Sequence, residues 1–125
     1  MILVGTSVWV DHLRRRDNRL AAALDSALVL MHPFVIGELA CGSLAYRGAV
    51  LALLQALPAA AVAQDAEALG FIERHGLHGA GIGYVDVHLL TATALSAGTR
   101  LWTRNRRLSW AAQQLGLAHA DPGTH

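Results

Sequence analysis

The sequence predicts an α/β fold, a short parallel sheet with helices on both faces. Three observations carry this. Short apolar runs alternate with longer stretches of helical period. The first run, residues 1–4, is apolar throughout, the pattern of a strand buried on both faces. The chain has 125 residues, with no internal repeat or low-complexity linker, which suits a single domain over residues 1–125.

The elements follow in order. After the strand at residues 1–4, Thr6 or Ser7 caps a helix with Val8, Trp9 and Leu13 on its buried side. Asp17 or Asn18 opens a second helix through Leu20, Leu24 and Leu28. Residues 29–31 form a second strand that ends at His32 and Pro33. Pro33 suits the first turn of a third helix through Ile36, Leu39 and Leu44. Residues 48–57 are helical in period and stop at Pro58, and residues 60–63 are a weak strand candidate. Gln64 or Asp65 caps a helix with Leu69 and Ile72 inward, closed by Gly76. Four glycines between residues 76 and 83 mark a loop. Residues 84–97 form the clearest helix, with Val85, Leu89, Ala92 and Leu95 at helical spacing and Gly98 as its stop. A strand at residues 100–103 leads to Asn105, which caps a last helix carrying Leu108, Ala111, Ala112 and Leu115. The tail, residues 118–125, is expected to be loose.

Composition narrows the class. The chain is 54% apolar and 15% charged, enough to fill a core and the reverse of a disordered balance. Cys41 has no partner, which excludes a disulfide scaffold and fits a reducing, cytoplasmic setting. No apolar run is long enough to cross a membrane, and Met1 leads straight into the strand without the basic segment of a signal peptide. The net charge of +1 hides a bias, because all ten basic residues are Arg. Three cluster at residues 14–16 and three more at Arg104, Arg106 and Arg107. Guanidinium suits bidentate phosphate contacts, although the all-Arg bias equally fits a GC-rich genome, and for residues 14–16, at the end of the first helix, a solvated cation favoured by the dipole is the default. The mean hydropathy of +0.37 points to an apolar surface covered by a partner.

Parallel sheets place their sites at the carboxyl ends of the strands. Gly5, Thr6 and Ser7 follow the first strand, and Asn105 follows the last. Glu38 lies in the helix after Pro33, and Asp86 in the first turn of the helix after the glycine-rich loop. Each acid stands in an apolar helical stretch, a costly placement without a partner. A dipole-favoured acid at a helix start, or a solvated Glu, would explain either one alone. Two acids directed to one end of a parallel sheet make a divalent cation site, because Mg²⁺ needs only one or two carboxylates plus waters and phosphate.

The segments "MILVGTSVWVDHLR", "FVIGELACG", "GIGYVDVHLLTATAL" and "LWTRNRRL" resemble the four conserved blocks of PIN-domain ribonucleases, specifically the VapC-type toxins of toxin–antitoxin pairs. Their order and spacing match over nearly the whole chain. The resemblance implies a PIN-like three-layer sandwich and an endoribonuclease that uses Mg²⁺ or Mn²⁺ to activate water. It also implies a homodimer, and a cognate antitoxin whose C-terminal segment lies in a groove near the acids.

Carried over position by position, the family's second acid is Glu38 and its third is Asp86. The first, normally an aspartate in a V-D-T-S run, is here Gly5. The fourth, normally an aspartate in a T-R-D-R run, is here Asn105. Thr6 and Ser7 match hydroxyl residues that support the site, and Arg104, Arg106 and Arg107 border it where RNA phosphates would lie. Asn105 keeps a neutral oxygen for a hard cation, whereas Gly5 offers no side chain. The expectation is an impaired ribonuclease, the alternative being a non-catalytic PIN-fold module that binds antitoxin or RNA.

The remaining features are blander. Seven histidines form no compact ligand motif, and His88, two past Asp86, is expected to pack or face solvent. Ser7, His88 and Asp86 lack the nucleophile elbow of a catalytic triad. The glycine-rich loop lacks the Gly-Lys-Ser/Thr ending of a phosphate-binding loop. A response-regulator-like domain fits poorly, because its acidic pair and strand-end Lys are absent. Trp9, Trp102 and Trp110 all fall on inward faces in this reading.

Overall fold

The computed structural model describes residues 1–120. Ten elements follow one another: β1 (Ile2–Val4), α1 (Thr6–Arg14), α2 (Asn18–Asp25), β2 (Val29–Leu30), α3 (Pro33–Ala40), α4 (Arg47–Gln55), α5 (Asp65–His75), α6 (Tyr84–Leu95), β3 (Arg100–Trp102) and α7 (Arg106–Gln114). The strands form one parallel sheet in the order β2-β1-β3. Leu3 pairs with Leu30 on one side and with Leu101 on the other. Neighbouring residues of a strand face opposite ways, yet Leu3 and Val4 are both fully buried, as are Leu101 and Trp102. Helices therefore cover both faces of the sheet, the architecture of a three-layer α/β sandwich.

Local chemistry explains most boundaries. Asp17 caps α2 by accepting from the N–H groups of Arg19 and Leu20. Pro33 opens α3 with its φ already helical, and the His32 ring accepts the Phe34 N–H. Glu67 reaches back to the Gln64 N–H at 2.9 Å and fixes the start of α5. That helix ends at Gly76, whose φ of 60° favours a residue without Cβ.

Several expectations are corrected. α1 begins at Thr6 with Gly5 before it, and neither Thr6 nor Ser7 caps it, because both hydroxyls are engaged elsewhere. α3 stops at Ala40 and does not reach Leu44. The candidate strand at residues 60–63 does not form, and just before it there is only an isolated parallel bridge between Met31 and Ala59. The N–H of Ala61 goes to the Ser96 hydroxyl at 3.0 Å, so the ladder cannot continue. The start of the tail is pinned, since Ala118 bridges to Leu101 and the His119 N–H donates to the Leu101 carbonyl at 2.8 Å. The tail expected to be loose otherwise falls on residues 121–125, outside the described residues.

Leu13, Leu28, Leu69, Leu95 and Trp110, all placed inward by periodicity, are exposed. Trp110 is 57% exposed because α7 buries the stripe Leu108, Ala111 and Ala112. Two positions past Leu108 is about 200° around a helix. Trp9 and Trp102 are core residues as expected.

Candidate metal centre at the strand ends

Three parallel strands end on the same side, and the loops leaving them are tied together. The Gly5 N–H donates to the Trp102 carbonyl at 2.8 Å. Ser7 Oγ accepts the Arg104 N–H at 2.9 Å and lies 3.3 Å from Thr103 Oγ1. Thr103 Oγ1 in turn accepts the Asn105 N–H at 3.1 Å. The segments after β1 and β3 thus form one hydrogen-bonded floor.

Glu38 projects to this floor from the exposed side of α3. Thr6 Oγ1 donates to its Oε1 at 2.6 Å, the short distance of a charge-assisted bond. Asp86 sits half-buried in the first turn of α6. Burial raises its pKa, and the negative charge of Glu38 raises it further, while the Gly83 N–H bond to its carboxylate lowers it. The two carboxylates, 48 residues apart in sequence, are thus close enough for the charge of one to be felt by the other. A carboxylate kept above its ordinary range by burial and a like charge is what a divalent cation relieves.

The other expected members are placed as follows. Gly5 is buried with φ −76° and ψ 166°, a backbone any residue adopts. A Cβ added there would lie 3.2 Å from the Trp102 carbonyl oxygen, so a side chain enters only if the β3 end gives slightly. Asn105 is exposed at the N-terminus of α7, and its Oδ1 accepts the Leu108 N–H at 3.1 Å. That oxygen is committed to capping the helix. Arg104, expected among the phosphate contacts, is held at 3.0 Å from Asp11 and 2.6 Å from Asp17, with its guanidinium 5.6 Å from the Trp102 ring centre. The ion pair and hydrogen bond lower the pKa of Asp17. Arg104 therefore clamps the β3–α7 loop to α1 and α2. Arg106 and Arg107 are exposed. Arg107 lies across the glycine-rich loop, where its guanidinium occupies the space of a Cβ on Gly81, whose φ is +77°. Glycine is needed there twice over.

Among the described residues no group of three or more His, Cys, Asp or Glu side chains could hold a metal ion. Two carboxylates with a neighbouring hydroxyl nonetheless fit a largely hydrated Mg²⁺ or Mn²⁺, which keeps several of its waters.

Beside the floor runs a groove of about 440 Å³ walled by Val10, Leu13, Leu39, Leu44 and Val50, with Glu38 also in its wall. Periodicity had placed Leu13 in the core, but it lines this groove instead. Among the described residues no helix is long and apolar enough to cross a membrane.

No family profile matches the chain. Among characterised proteins, it is 46% identical over 121 residues to Ribonuclease VapC32 of Mycobacterium tuberculosis, in the sequences of strains CDC 1551 and H37Rv alike. The match covers 97% of this chain and 98% of the relative.

Proposed function

The chain belongs to the VapC family of PIN-domain ribonucleases, and from that premise we propose that it is the toxin of a toxin–antitoxin module. It acts in the cytoplasm as an endoribonuclease dependent on Mg²⁺ or Mn²⁺, with its activity reduced by Gly5 and Asn105. The observation that carries this reading is the 46% identity to a VapC ribonuclease over 97% of the chain, and the Thr6–Glu38 bond at the strand ends is in keeping with it.

Glu38 and Asp86 would hold the cation. Thr6 keeps one Glu38 oxygen oriented, and the Gly83 N–H keeps the Asp86 carboxylate in place. Bound there, the ion supplies an activated water and a clamp on the scissile phosphate. Arg106 and Arg107 are exposed in the first turn of α7, directly after Asn105, and suit phosphates of single-stranded RNA. Ser7 and Thr103 hold the loop that presents them. Gly5 adds no charge, and the Asn105 oxygen is shared with a helix cap. Losing one preorganised electrostatic group costs on the order of 10²-fold in rate.

The groove beside Glu38 suits an apolar peptide segment, and we assign it to the antitoxin's C-terminal part. The exposed Leu69 of α5 and Leu95 of α6 offer an apolar face to a second copy in a homodimer.

A second reading, a non-catalytic PIN-fold module binding antitoxin or RNA, is favoured by Gly5 and by the capping role of Asn105. One experiment separates the two. The double variant Gly5→Asp/Asn105→Asp, checked for native folding by circular dichroism, is expected to cleave RNA in Mg²⁺ at least 10²-fold faster than the parent, and not in EDTA. A folded double variant that neither cleaves any RNA offered nor gains melting temperature from Mn²⁺ overturns the nuclease reading and leaves the binding module.

A further inference from the structure

Among the described residues, the exposed aromatic side chains are Phe34, Tyr46, Tyr84 and Trp110. Two of them are held against one buried ring. His88 is 2% exposed, and its ring centre lies 4.9 Å from that of Phe34 and 4.6 Å from that of Tyr84. Both contacts are steep, with interplanar angles of 68° and 90°. The His32 ring meets Phe34 as well, at 5.1 Å. The Tyr84 hydroxyl donates to Asp65 Oδ1 at 2.7 Å. Yet Phe34 remains 37% and Tyr84 43% exposed. A ring that is fixed and still open offers its surface to a ligand with little further loss of side-chain freedom.

Both rings stand at the strand-end side of the molecule. α3 leaves β2 at that end, and α6 leads back to the start of β3, so both helices begin there. Phe34 is one turn before Glu38 on α3, and Tyr84 is two residues before Asp86 on α6. Rings and acids are thus carried by the same two helices.

The third group is Asp65, the first residue of α5, with its side chain 80% exposed. The Tyr84 hydroxyl and His88 Nε2 both meet its Oδ1, and no described partner falls on Oδ2. The Tyr84 bond, then that of His88, holds the Asp65 pKa below its ordinary value. At neutral pH this group is a carboxylate, which accepts hydrogen bonds and donates none. Such an anion beside two open rings repels phosphate. It suits a flat, neutral ligand whose edge donates.

We propose that Phe34 and Tyr84 form a stacking site for one unpaired base of the RNA substrate, whose edge Asp65 Oδ2 reads, with guanine preferred over uracil. The site rests on the ribonuclease reading for its ligand but not on the cation. Stacking on an aromatic ring accepts any base, so the edge decides. Guanine turns two neighbouring donors, N1–H and N2–H, toward an acceptor. Uracil offers one N–H between two carbonyl oxygens that a carboxylate repels.

The test uses the full chain in EDTA, so that neither cleavage nor a bound cation enters. Fluorescence anisotropy compares a short labelled oligouridine, the same strand with one guanosine, and an abasic strand of equal length. The guanosine strand is expected to bind tightest and the abasic strand about 10-fold more weakly. Phe34→Leu and Tyr84→Leu keep apolar bulk but lose the ring. Each is expected to weaken the guanosine strand about 10-fold and to leave the abasic strand unchanged. Asp65→Ala is expected to abolish the preference for guanosine over uridine. Circular dichroism checks the fold of each variant. Should a leucine variant misfold, the order of strands in the parent and the Asp65→Ala comparison decide. Equal affinity for guanosine and abasic strands, folded leucine variants that bind like the parent, a guanosine preference intact in Asp65→Ala, or a parent that binds no strand each overturn the proposal. RNA binding that ignores the rings ends this inference and leaves the ribonuclease reading standing. Ring-dependent binding with Gly5→Asp/Asn105→Asp still inert ends the ribonuclease reading and keeps the base site.

Discussion

Asp86 is stabilised in its charged form by little of its own surroundings. Burial and the Glu38 charge both oppose ionisation, and one N–H from Gly83 favours it. Because its folded pKa is raised, the folded chain holds the proton more tightly than the unfolded one. Stability therefore falls as pH rises from the ordinary carboxylate range through the raised value, and above that value the whole cost is present. Asp86→Asn keeps an oxygen for the Gly83 N–H and removes the charge. The metal-free variant is expected to melt a few degrees above the parent in EDTA, since about 1 kcal/mol moves a domain of this size by about 4 °C. The rise that Mn²⁺ gives the parent is expected to vanish. Thermal melts with and without Mn²⁺ check this, and a lower melting temperature in EDTA with an intact Mn²⁺ response would contradict it. Glu38 and Asp86 were both legible as odd acids in apolar helices. The commitment of Arg104 to Asp11 and Asp17 was not, because its partners lie 93 and 87 residues away in sequence.

Asn105 shows an element's needs committing an oxygen that the proposed site would also use. It was readable as a helix start from the apolar stripe that follows, and α7 begins as expected with Asn105 Oδ1 on the Leu108 N–H. Asn105→Ala removes that acceptor and is expected to cost about 1 kcal/mol in urea denaturation. Asn105→Asp keeps the cap, places a negative charge at the positive end of α7, and is expected to stay within about 0.5 kcal/mol of the parent. The same Asp variant should bind Mn²⁺ more tightly. If alanine proves as stable as aspartate, the capping role is wrong. Besides the α1 cap, the end of α3 and the strand at residues 60–63, the reading of elements failed on burial. Leu69 on α5 is 56% exposed although apolar, because Ala68 and Phe71 form that helix's buried face. Period identifies an apolar side but not whether a neighbour covers it.

The molecule as a whole keeps a histidine neutral inside its core, and that links its stability to acid. The His32 pKa drops from 6.5 to about 4 on folding, first through burial and then through the charge of His88. Between those values the unfolded chain binds the proton and the folded one does not. Stability is thus complete above about pH 6.5 and declines as pH falls toward about 4, by at most about 3 kcal/mol. Urea denaturation at pH 7 and pH 4.5 should show this slope for the parent and a flatter one for His32→Asn. Equal slopes would remove His32 as the cause.

Chain order and local chemistry sufficed for most of the succession of strands and helices and for most caps, while the family resemblance singled out Glu38, Asp86, Gly5 and Asn105 as candidate positions. Those features are written in neighbours within a few residues, where period, proline, glycine and capping side chains act. The assembled fold alone brought Thr6 onto Glu38 across 32 residues and Ser7 beside Thr103 across 96. It also turned Arg104 into a structural clamp and buried His32 and His88 around Phe34. Such contacts depend on how distant elements pack, and no local pattern encodes which side chain will meet which across the sheet.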